Sequence, residues 1–323
     1  MKVTVVVCTH NRCKTLSRTL SSVAACVVRP SVQWEVVVVD NNSSDLTRQV
    51  IEDFCTKYPM RFRCLFEPRP GKSYALNSAI RQSDADVLAF LDDDVTVDLA
   101  WLDRLTSGWV DGSWAGAGGK IVLEWPEDLP GWVSIRGPYA KNPLPDFDEG
   151  SEAKELKTAP FGTNMVFRRE MFEKYGFFRT DLGPSPRREV PRPGEDTEFG
   201  WRLIAAGERL WYEPSAIVYH PVPHSRITKE YYLEWWFDLG RAKIRMFGVR
   251  NGTKFYLAGV PFYLFASLAL WTVRWVFSLR AQARFYYRVM VWGKLGEIAE
   301  CYRRRVTVDS GTPRSINDGF LGE

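Results

Sequence analysis

Asp86-Val87-Leu88-Ala89-Phe90-Leu91-Asp92-Asp93-Asp94-Val95 is an apolar run of strand length that ends in three consecutive carboxylates. Val87, Leu88, Phe90 and Leu91 show no polar alternation, so the run predicts a strand buried on both faces, as in a parallel sheet. Such strands present functional groups just beyond their carboxyl ends, in the crevice where ligands bind. Three adjacent carboxylates repel one another, and a cation relieves that repulsion. Oxygen ligands on a loop suit a hard divalent ion, Mg²⁺ or Mn²⁺, of the kind that bridges to substrate phosphates. The competing reading is a solvated acidic turn with Asp98 as a nearby cap.

Upstream, the chain alternates strands of this kind with helices. Val3 to Cys8 is apolar apart from Thr4, the polar loop Thr9-His10-Asn11-Arg12 follows, and Leu16, Leu20 and Val23 recur at helical spacing. Glu35 to Val39 reads as a second buried strand, ending at Asp40-Asn41-Asn42-Ser43-Ser44-Asp45. A helix is expected over 46–58 with Asp45 as N-cap. A short strand over 62–66, a loop over 67–72 and a helix over 73–82 come next. This alternation predicts a doubly wound α/β sheet with right-handed crossovers. No G-x-G-x-x-G follows the first strand, which argues against a Rossmann oxidoreductase, and there is no P-loop.

Polar groups after successive strand ends would converge on one edge of such a sheet: Thr9 and Arg12, Asp40, Lys72, then the acidic triplet. A carboxylate such as Asp40 can accept from a ring N–H, which uracil, thymine and guanine offer and adenine does not. Arg12 and Lys72 suit phosphate oxygens. Taken singly, Arg12 and Lys72 could be ordinary surface charge and Asp40 a turn cap; it is their joint order that points to a ligand.

Val3-Thr-Val-Val-Val-Cys-Thr-His-Asn-Arg12, Val37-Val-Val-Asp40-Asn-Asn-Ser-Ser-Asp45, Arg69-Pro-Gly-Lys72 with Ala75-Leu-Asn77, and Phe90-Leu-Asp-Asp-Asp94 resemble the family-2 glycosyltransferases of the GT-A fold. The resemblance implies a nucleoside-diphosphate sugar donor, of UDP type, and a Rossmann-like mixed sheet. It implies that Thr9, Arg12, Asp40 and Lys72 hold the nucleotide together with Asp92, that Asp93 lies by the ribose, and that Asp94 ligates the divalent ion. His10 stands where an aromatic is common, and its role stays open.

Further along, Trp101 to Trp109 is expected as a helix, and glycine-rich Ala115 to Leu123 as a strand approached closely by a ligand. Trp125 to Asp148, rich in proline and aromatics, reads as an inserted loop over the site. Its aromatics could stack on an acceptor or simply pack beneath the loop. Phe161 to Phe167 reads as a strand region, Arg169 to Tyr175 as a short helix, and Arg179 to Pro193, with four prolines, as a mobile loop. Gly194-Glu195-Asp196-Thr197-Glu198 then opens a helix that stops at Gly207. Acidic residues in a first turn are also what the helix dipole favours. With Arg202-Leu203 and Ala206-Gly207, the stretch resembles the family's acceptor-side motif, which implies Asp196 as general base and Glu195 as a group orienting acceptor or base. His220 ends another strand and is a candidate metal or phosphate contact, or a capped core histidine. The resemblance spans roughly residues 3 to 225.

The net charge of +4 is mild but unevenly placed. Arg241, Lys243, Arg245, Arg250, Arg280, Arg284, Arg288 and Arg303-Arg304-Arg305 crowd the last third, among the aromatics Tyr231, Tyr232, Trp235 and Trp236. A basic, aromatic tail suits nucleic acid or an anionic membrane surface; the resemblance leaves no place for nucleic acid. Phe255 to Val273 carries no charge and approaches the ~20 residues that span a bilayer, but Gly259 and Pro261 disfavour one straight helix. Basic residues flank both sides, so helices lying in the cytoplasmic leaflet are expected rather than a true span. An apolar hairpin that covers the catalytic domain or makes a dimer is the alternative. The six cysteines contain no C-x-x-C, and strand-like sequence from Lys2 leaves no room for a signal peptide. The expected location is cytoplasmic, at the inner face of the membrane.

The expected organisation is a catalytic domain over 1–226, an aromatic, basic helical extension over 227–305 and a flexible tail over 306–323. The expected activity is inverting transfer of a sugar to a hydroxyl of a saccharide or lipid-linked saccharide, in envelope polysaccharide or glycolipid synthesis. Two rivals remain. Asp92-Asp93-Asp94-Val95-Thr96 also fits the D-x-D-x-[TV] pattern of aspartyl-phosphate phosphatases, with Asp92 as nucleophile, although that family carries the motif after its first strand. A non-catalytic, membrane-bound nucleotide-sugar-binding scaffold is the other.

Overall fold

The computed structural model describes residues 1–109, 113–187 and 190–304. The chain forms two compact units: Met1–Glu124, Pro145–Arg188 and Glu195–Pro221 make the first, and Trp125–Leu144, Glu189–Gly194 and Val222–Glu323 the second.

In the first unit, β1 (Lys2–Thr9), α1 (Cys13–Ala24), β2 (Gln33–Asp40), α2 (Thr47–Lys57), β3 (Phe62–Phe66), α3 (Lys72–Gln82) and β4 (Val87–Leu91) alternate as expected. The pairs β3–β2, β2–β1 and β1–β4 are all parallel. After β4 come β5 (Thr96–Val97), α4 (Trp101–Leu105), β6 (Gly116–Glu124), β7 (Lys154–Leu156), β8 (Asn164–Arg168), α5 (Arg169–Tyr175), α6 (Glu195–Ala205) and β9 (Leu210–Pro221). The strand order is β3-β2-β1-β4-β8-β6-β9-β5, with β7 on β9. β8 runs antiparallel to both β4 and β6, so the sheet is mixed.

Strand side chains alternate between faces, and the core divides accordingly. Val3, Val5 and Val7 of β1 pack with Leu16, Leu20, Val23 and Ile51, whereas Val6 packs with Ala75, Leu76, Phe90 and Phe199. Leu46, not Asp45, occupies the cap position of α2; Asp45, one residue earlier, accepts from Thr47 N at 2.9 Å. α6 ends in paired bonds, Glu208 N to Leu203 O and Gly207 N to Ile204 O, each 3.0 Å. Gly207 takes the left-handed conformation, φ +84°, that this ending requires.

Two elements differ from expectation. The helix expected over 101–109 stops at Leu105 and continues only as a 3₁₀ turn over Ser107–Trp109. Thr106 and Ser107 turn their hydroxyls back onto Leu102 O and Arg104 O, each at 2.7 Å, and Gly108 follows. The 125–148 stretch also divides: Trp125–Leu144 belongs to the second unit, while Phe147 and Asp148 join the first through Ile121 N and Lys120.

The second unit holds α7 (Lys229–Phe247), β10 (Tyr256–Leu257), β11 (Val260–Pro261), α8 (Phe262–Phe277) and α9 (Ala281–Arg304). The Thr228 hydroxyl caps α7 by accepting from Tyr231 N at 3.1 Å. α7 and α9 meet backbone to backbone: a Cβ on Gly240 would collide with Gly293 O, and one on Gly296 with Phe237 O. Trp132 packs edge-on against Tyr232 and Phe285, and Tyr139 against Tyr286 and Tyr287, so both rings are packing residues of this unit. The uncharged run 255–273 is not one helix. Ala258 and Gly259, φ +50° and +81°, turn a small hairpin, and α8 begins only after Pro261. Among the described residues no helix is long and apolar enough to cross a membrane.

Part of the basic excess of this unit is internal. Glu300 is fully buried and accepts from Arg245 Nε at 2.8 Å and from Arg303 Nη2 and Arg304 Nε at 2.9 Å each, with Arg241 Nε at 3.4 Å. Arg241 and Arg245 are buried. Arg241 and Arg245 therefore neutralise a hidden carboxylate and do not face solvent, whereas Arg303 and Arg304 reach the same carboxylate from exposed positions. Arg305 and the tail over 306–323 lie outside the described residues.

Candidate active site

β1 pairs in parallel with both neighbours, placing Thr9 opposite Asp40 and Val7 opposite Leu91. The residues that follow β1, β2 and β4 therefore reach one edge of the sheet. β8 runs the other way and begins at Asn164, opposite Leu91, so Gly162 and Thr163 arrive at the same edge. β9 brings His220 there beside Leu123 of β6. The amino ends of α3 and α6 supply Lys72, Glu195 and Asp196.

Lys72 Nζ lies 2.6 Å from Asp92 Oδ1 and 3.5 Å from Glu195 Oε1. The other Asp92 oxygen accepts from Thr163 Oγ1 at 2.6 Å. Burial would raise the Asp92 carboxyl, but the Lys72 ammonium and the Thr163 hydroxyl outweigh it and hold Asp92 well below the usual carboxylate range. Glu195 is buried, and burial with Asp196 beside it pushes its carboxyl up to about 7 against the pull of Lys72. Burial works against the Lys72 ammonium, yet Asp92 and Glu195 keep it charged.

Arg12 Nε is 4.0 Å from Asp93 Oδ1, and Arg12 Nη2 is 4.0 Å from Asp94 Oδ2. Burial and the adjacent Asp94 push the Asp93 carboxyl up to about 7. The buried Thr9 hydroxyl lies near Asp93 but makes no hydrogen bond of normal geometry. His220 Nε2 stands 3.8 Å from Asp94 Oδ1, while its Nδ1 lies 3.0 Å from Pro221 O. A carbonyl can only accept, so Nδ1 donates, and in a neutral ring Nε2 is then the nitrogen that could offer a lone pair on the Asp94 side. Ligand atoms of Asp92, Asp94 and His220 lie within 4.8 Å of one another. Two carboxylates and an imidazole lone pair, among more carboxylates than Lys72 and Arg12 neutralise, fit a divalent cation. Both oxygens of Asp92 already accept hydrogen bonds, from Lys72 and from Thr163.

Asp196 Oδ2 accepts from Gly162 N, and Oδ1 from Thr197 N, each at 2.6 Å. Asp40 does cap its turn, Oδ1 accepting from Ser43 N at 2.9 Å, which leaves Oδ2 for another donor. Asn11 and Asn42, just beyond β1 and β2, adopt φ +54° and +63°, a conformation asparagine tolerates. The Asn41 side chain pins the loop before α3: it donates to Glu67 O and Arg69 O at 3.0 and 2.8 Å and accepts from Gly71 N at 2.8 Å. His10 Nδ1 meets Asn41 O at 2.8 Å, a structural role.

The 179–193 stretch, expected to be mobile, is anchored at its front. Ser73 Oγ donates to Leu182 O at 2.8 Å and Lys72 N to Pro184 O at 2.9 Å. Gly183, φ +92°, sits where a Cβ would lie 2.8 Å from Glu195 Oε2. Residues 188 and 189 lie outside the described residues. The sequence reading did not assign roles to Gly162, Thr163, Asn41 or Ser73. Gly162-Thr163, uncharged residues directly ahead of an apolar strand, offered the one available signal.

The glycosyl transferase family 2 model matches residues 4–176. The chain is 30% identical over 259 residues to the succinoglycan biosynthesis protein ExoM of Rhizobium meliloti, covering 78% of this chain and 79% of that protein. It is 30% identical over 227 residues to the glucosyl-dolichyl phosphate glucuronosyltransferase of Haloferax volcanii, covering 68% and 69%. Among solved structures, it is similar to the mannosyltransferase PcManGT of Pyrobaculum calidifontis in complex with GDP-Man and Mn²⁺. There the TM-score is 0.58 at 19% identity, over 92% of this chain and 85% of that one. That likeness is one of fold, the GT-A arrangement of a mixed sheet with helices.

Proposed function

The chain belongs to glycosyl transferase family 2, and we propose that it transfers a sugar, with inversion, from a nucleoside-diphosphate sugar to an acceptor hydroxyl. The observation that carries this reading is the convergence of Asp94 and His220 with Lys72, Glu195 and Asp196 on one sheet edge.

In this reading Asp40 Oδ2 accepts from a ring N–H of the base, which suits a uracil or guanine nucleotide, and Thr9 lines the same pocket. Arg12 faces the diphosphate. Asp93 lies by the ribose, and Lys72 sets the charge and position of Asp92 beneath the phosphates. Asp94 and His220 would hold Mg²⁺ or Mn²⁺, which supplies charge compensation for the leaving diphosphate. Asp196, oriented by Gly162 N, takes the proton from the acceptor hydroxyl as that oxygen attacks the anomeric carbon from the face opposite the leaving group. The electron pair of the breaking C–O bond leaves on the diphosphate, and no covalent enzyme intermediate forms. Glu195 positions Lys72 and the neighbouring base.

One relative is named for succinoglycan biosynthesis and another as a glucosyl-dolichyl phosphate glucuronosyltransferase. Their names support a saccharide or lipid-linked saccharide acceptor, and our reading places the action at the inner face of the cytoplasmic membrane, where a lipid-linked acceptor would lie. The phosphatase reading gains no support: both Asp92 oxygens are bound by Lys72 and Thr163, and three strands precede the motif.

The test is a screen of nucleoside-diphosphate sugars with the full chain, reading release of nucleoside diphosphate with Mn²⁺ or Mg²⁺ and after EDTA. Metal-dependent release from a uracil- or guanine-nucleotide sugar is expected. Binding without release, even with candidate lipid-linked acceptors supplied, would favour the scaffold reading.

A further inference from the structure

We propose that the exposed face of α8 and the hollow at its carboxyl end form the surface by which this chain sits on the anionic leaflet of a bilayer. Arg274 and Arg280 hold lipid phosphates there, while Phe277 and Leu279 reach the acyl boundary. The inference rests on the membrane-surface reading given under Proposed function and names the surface.

α8 is strongly apolar, yet of its residues only Leu264 is buried. Phe262, Leu270, Val273, Val276 and Phe277 are exposed along it, at the three- and four-residue spacing of one helix face. Leu279, just beyond the helix, is 98% exposed. Phe255 extends the same patch, since its carbonyl accepts from Phe262 N at 2.9 Å and its ring is exposed. Contiguous apolar exposure of this kind marks an interaction surface. At about 24 Å for its 16 residues, α8 is short of a bilayer core. It is long enough to lie along one.

Charge selects the occupant. No Asp or Glu stands between Asp238 and Glu297, so the hairpin, α8 and the first turns of α9 carry cations alone. Where α8 hands over to α9, a hollow of about 460 Å³ is lined by Arg274, Arg280, Phe277, Leu279, Tyr139 and Tyr287. Arg274 lies 5.0 Å from the Trp271 ring, and Trp271 stacks on Tyr287, a belt of amphipathic rings of the type that settles at headgroup depth. A second copy docking through the same face about a twofold axis would set arginines against arginines. An anionic lipid surface meets both the apolar face and its cationic margin.

The experiment is flotation of the full chain with vesicles of phosphatidylcholine alone and with phosphatidylglycerol added. Alongside wild type run Arg274→Gln/Arg280→Gln, Val273→Asp/Phe277→Asp, and a control, Arg48→Gln/Lys57→Gln, on the exposed face of α2. All four sites of the test variants are exposed, so circular dichroism and Tm should match wild type. Wild type and control should float with the anionic vesicles, and each test variant should bind about tenfold more weakly or worse. Floating of all proteins alike would overturn this surface while leaving a membrane-bound enzyme standing. No flotation of wild type would remove the membrane reading itself. A concentration-dependent dimer, without vesicle binding, that Val273→Asp/Phe277→Asp dissolves would assign the face to a second copy and overturn the proposal.

Discussion

The Asp196 carboxylate accepts the backbone N–H of Gly162 at 2.6 Å. This bond ties the first turn of α6 to the segment leading into β8 and fixes one Asp196 oxygen, while the other accepts from Thr197 N. A Cβ on Gly162 would lie 3.0 Å from Asp196 Oδ2 and 3.4 Å from Asp196 Cβ. Gly162→Val should therefore displace the carboxylate and lower kcat roughly 10- to 100-fold, the scale of a misplacement near 1 Å. Donor affinity, measured by calorimetry, should hold. Unchanged kcat would show that this contact does not set the position of Asp196.

Lys72 bridges Asp92 and Glu195. Lys72→Met leaves the half-buried Asp92 and the buried Glu195 without their shared cation, and affinity for nucleoside diphosphate with Mn²⁺ should fall about tenfold or more. Calorimetric titration checks this. Wild-type affinity would place Lys72 outside the donor site.

For the cation, the pair to test is Asp94 and His220. Asp94→Asn should abolish metal-dependent donor turnover and weaken Mn²⁺ binding read by electron paramagnetic resonance, with the fold intact by circular dichroism. Full turnover in this variant, or wild-type turnover indifferent to EDTA, would remove Asp94 as the essential ligand.

Glu300 gives a stability prediction with a definite pH sign. Burial alone would raise its carboxyl, but Arg303 and Arg245 outweigh burial and hold it down to about 2, from an ordinary 4.5. A depressed carboxyl stabilises the fold above its unfolded-state value, and that contribution disappears as pH falls from about 4.5 toward 2. Glu300→Gln should cost about 3–5 kcal/mol at neutral pH, as removal of one partner from a buried cluster does, and should flatten the acid limb. Urea denaturation across that range reads both effects. An acid limb as steep as wild type would locate the acid sensitivity elsewhere.

Much of this site was legible because parallel strands write their functional residues at their own carboxyl ends. Thr9, Asp40 and the Asp92 triplet each directly end or follow a continuous apolar run, and the sheet sets those ends side by side. Thr163 and Gly162 were not legible in the same way. They carry no charge, and only the antiparallel pairing of β8 with β4 brings them to Asp92 and Asp196. The second unit misled for a different reason. A single acid, Glu300, draws Arg241 and Arg245 inside, and composition alone cannot tell such buried arginines from a solvent-facing basic patch. The uncharged run 255–273, by contrast, was legible: Gly259 and Pro261 argued against one straight helix, and the left-handed turn at Ala258-Gly259 divides it there.

The most direct test of the account compares Asp196→Asn with wild type in two measurements on the same preparation, donor affinity and turnover with acceptor. A base that acts only on the acceptor hydroxyl predicts a kcat lower by about 10²–10⁴-fold with donor affinity essentially unchanged. Loss of donor binding in step with turnover would put Asp196 in the nucleotide pocket and contradict the assignment.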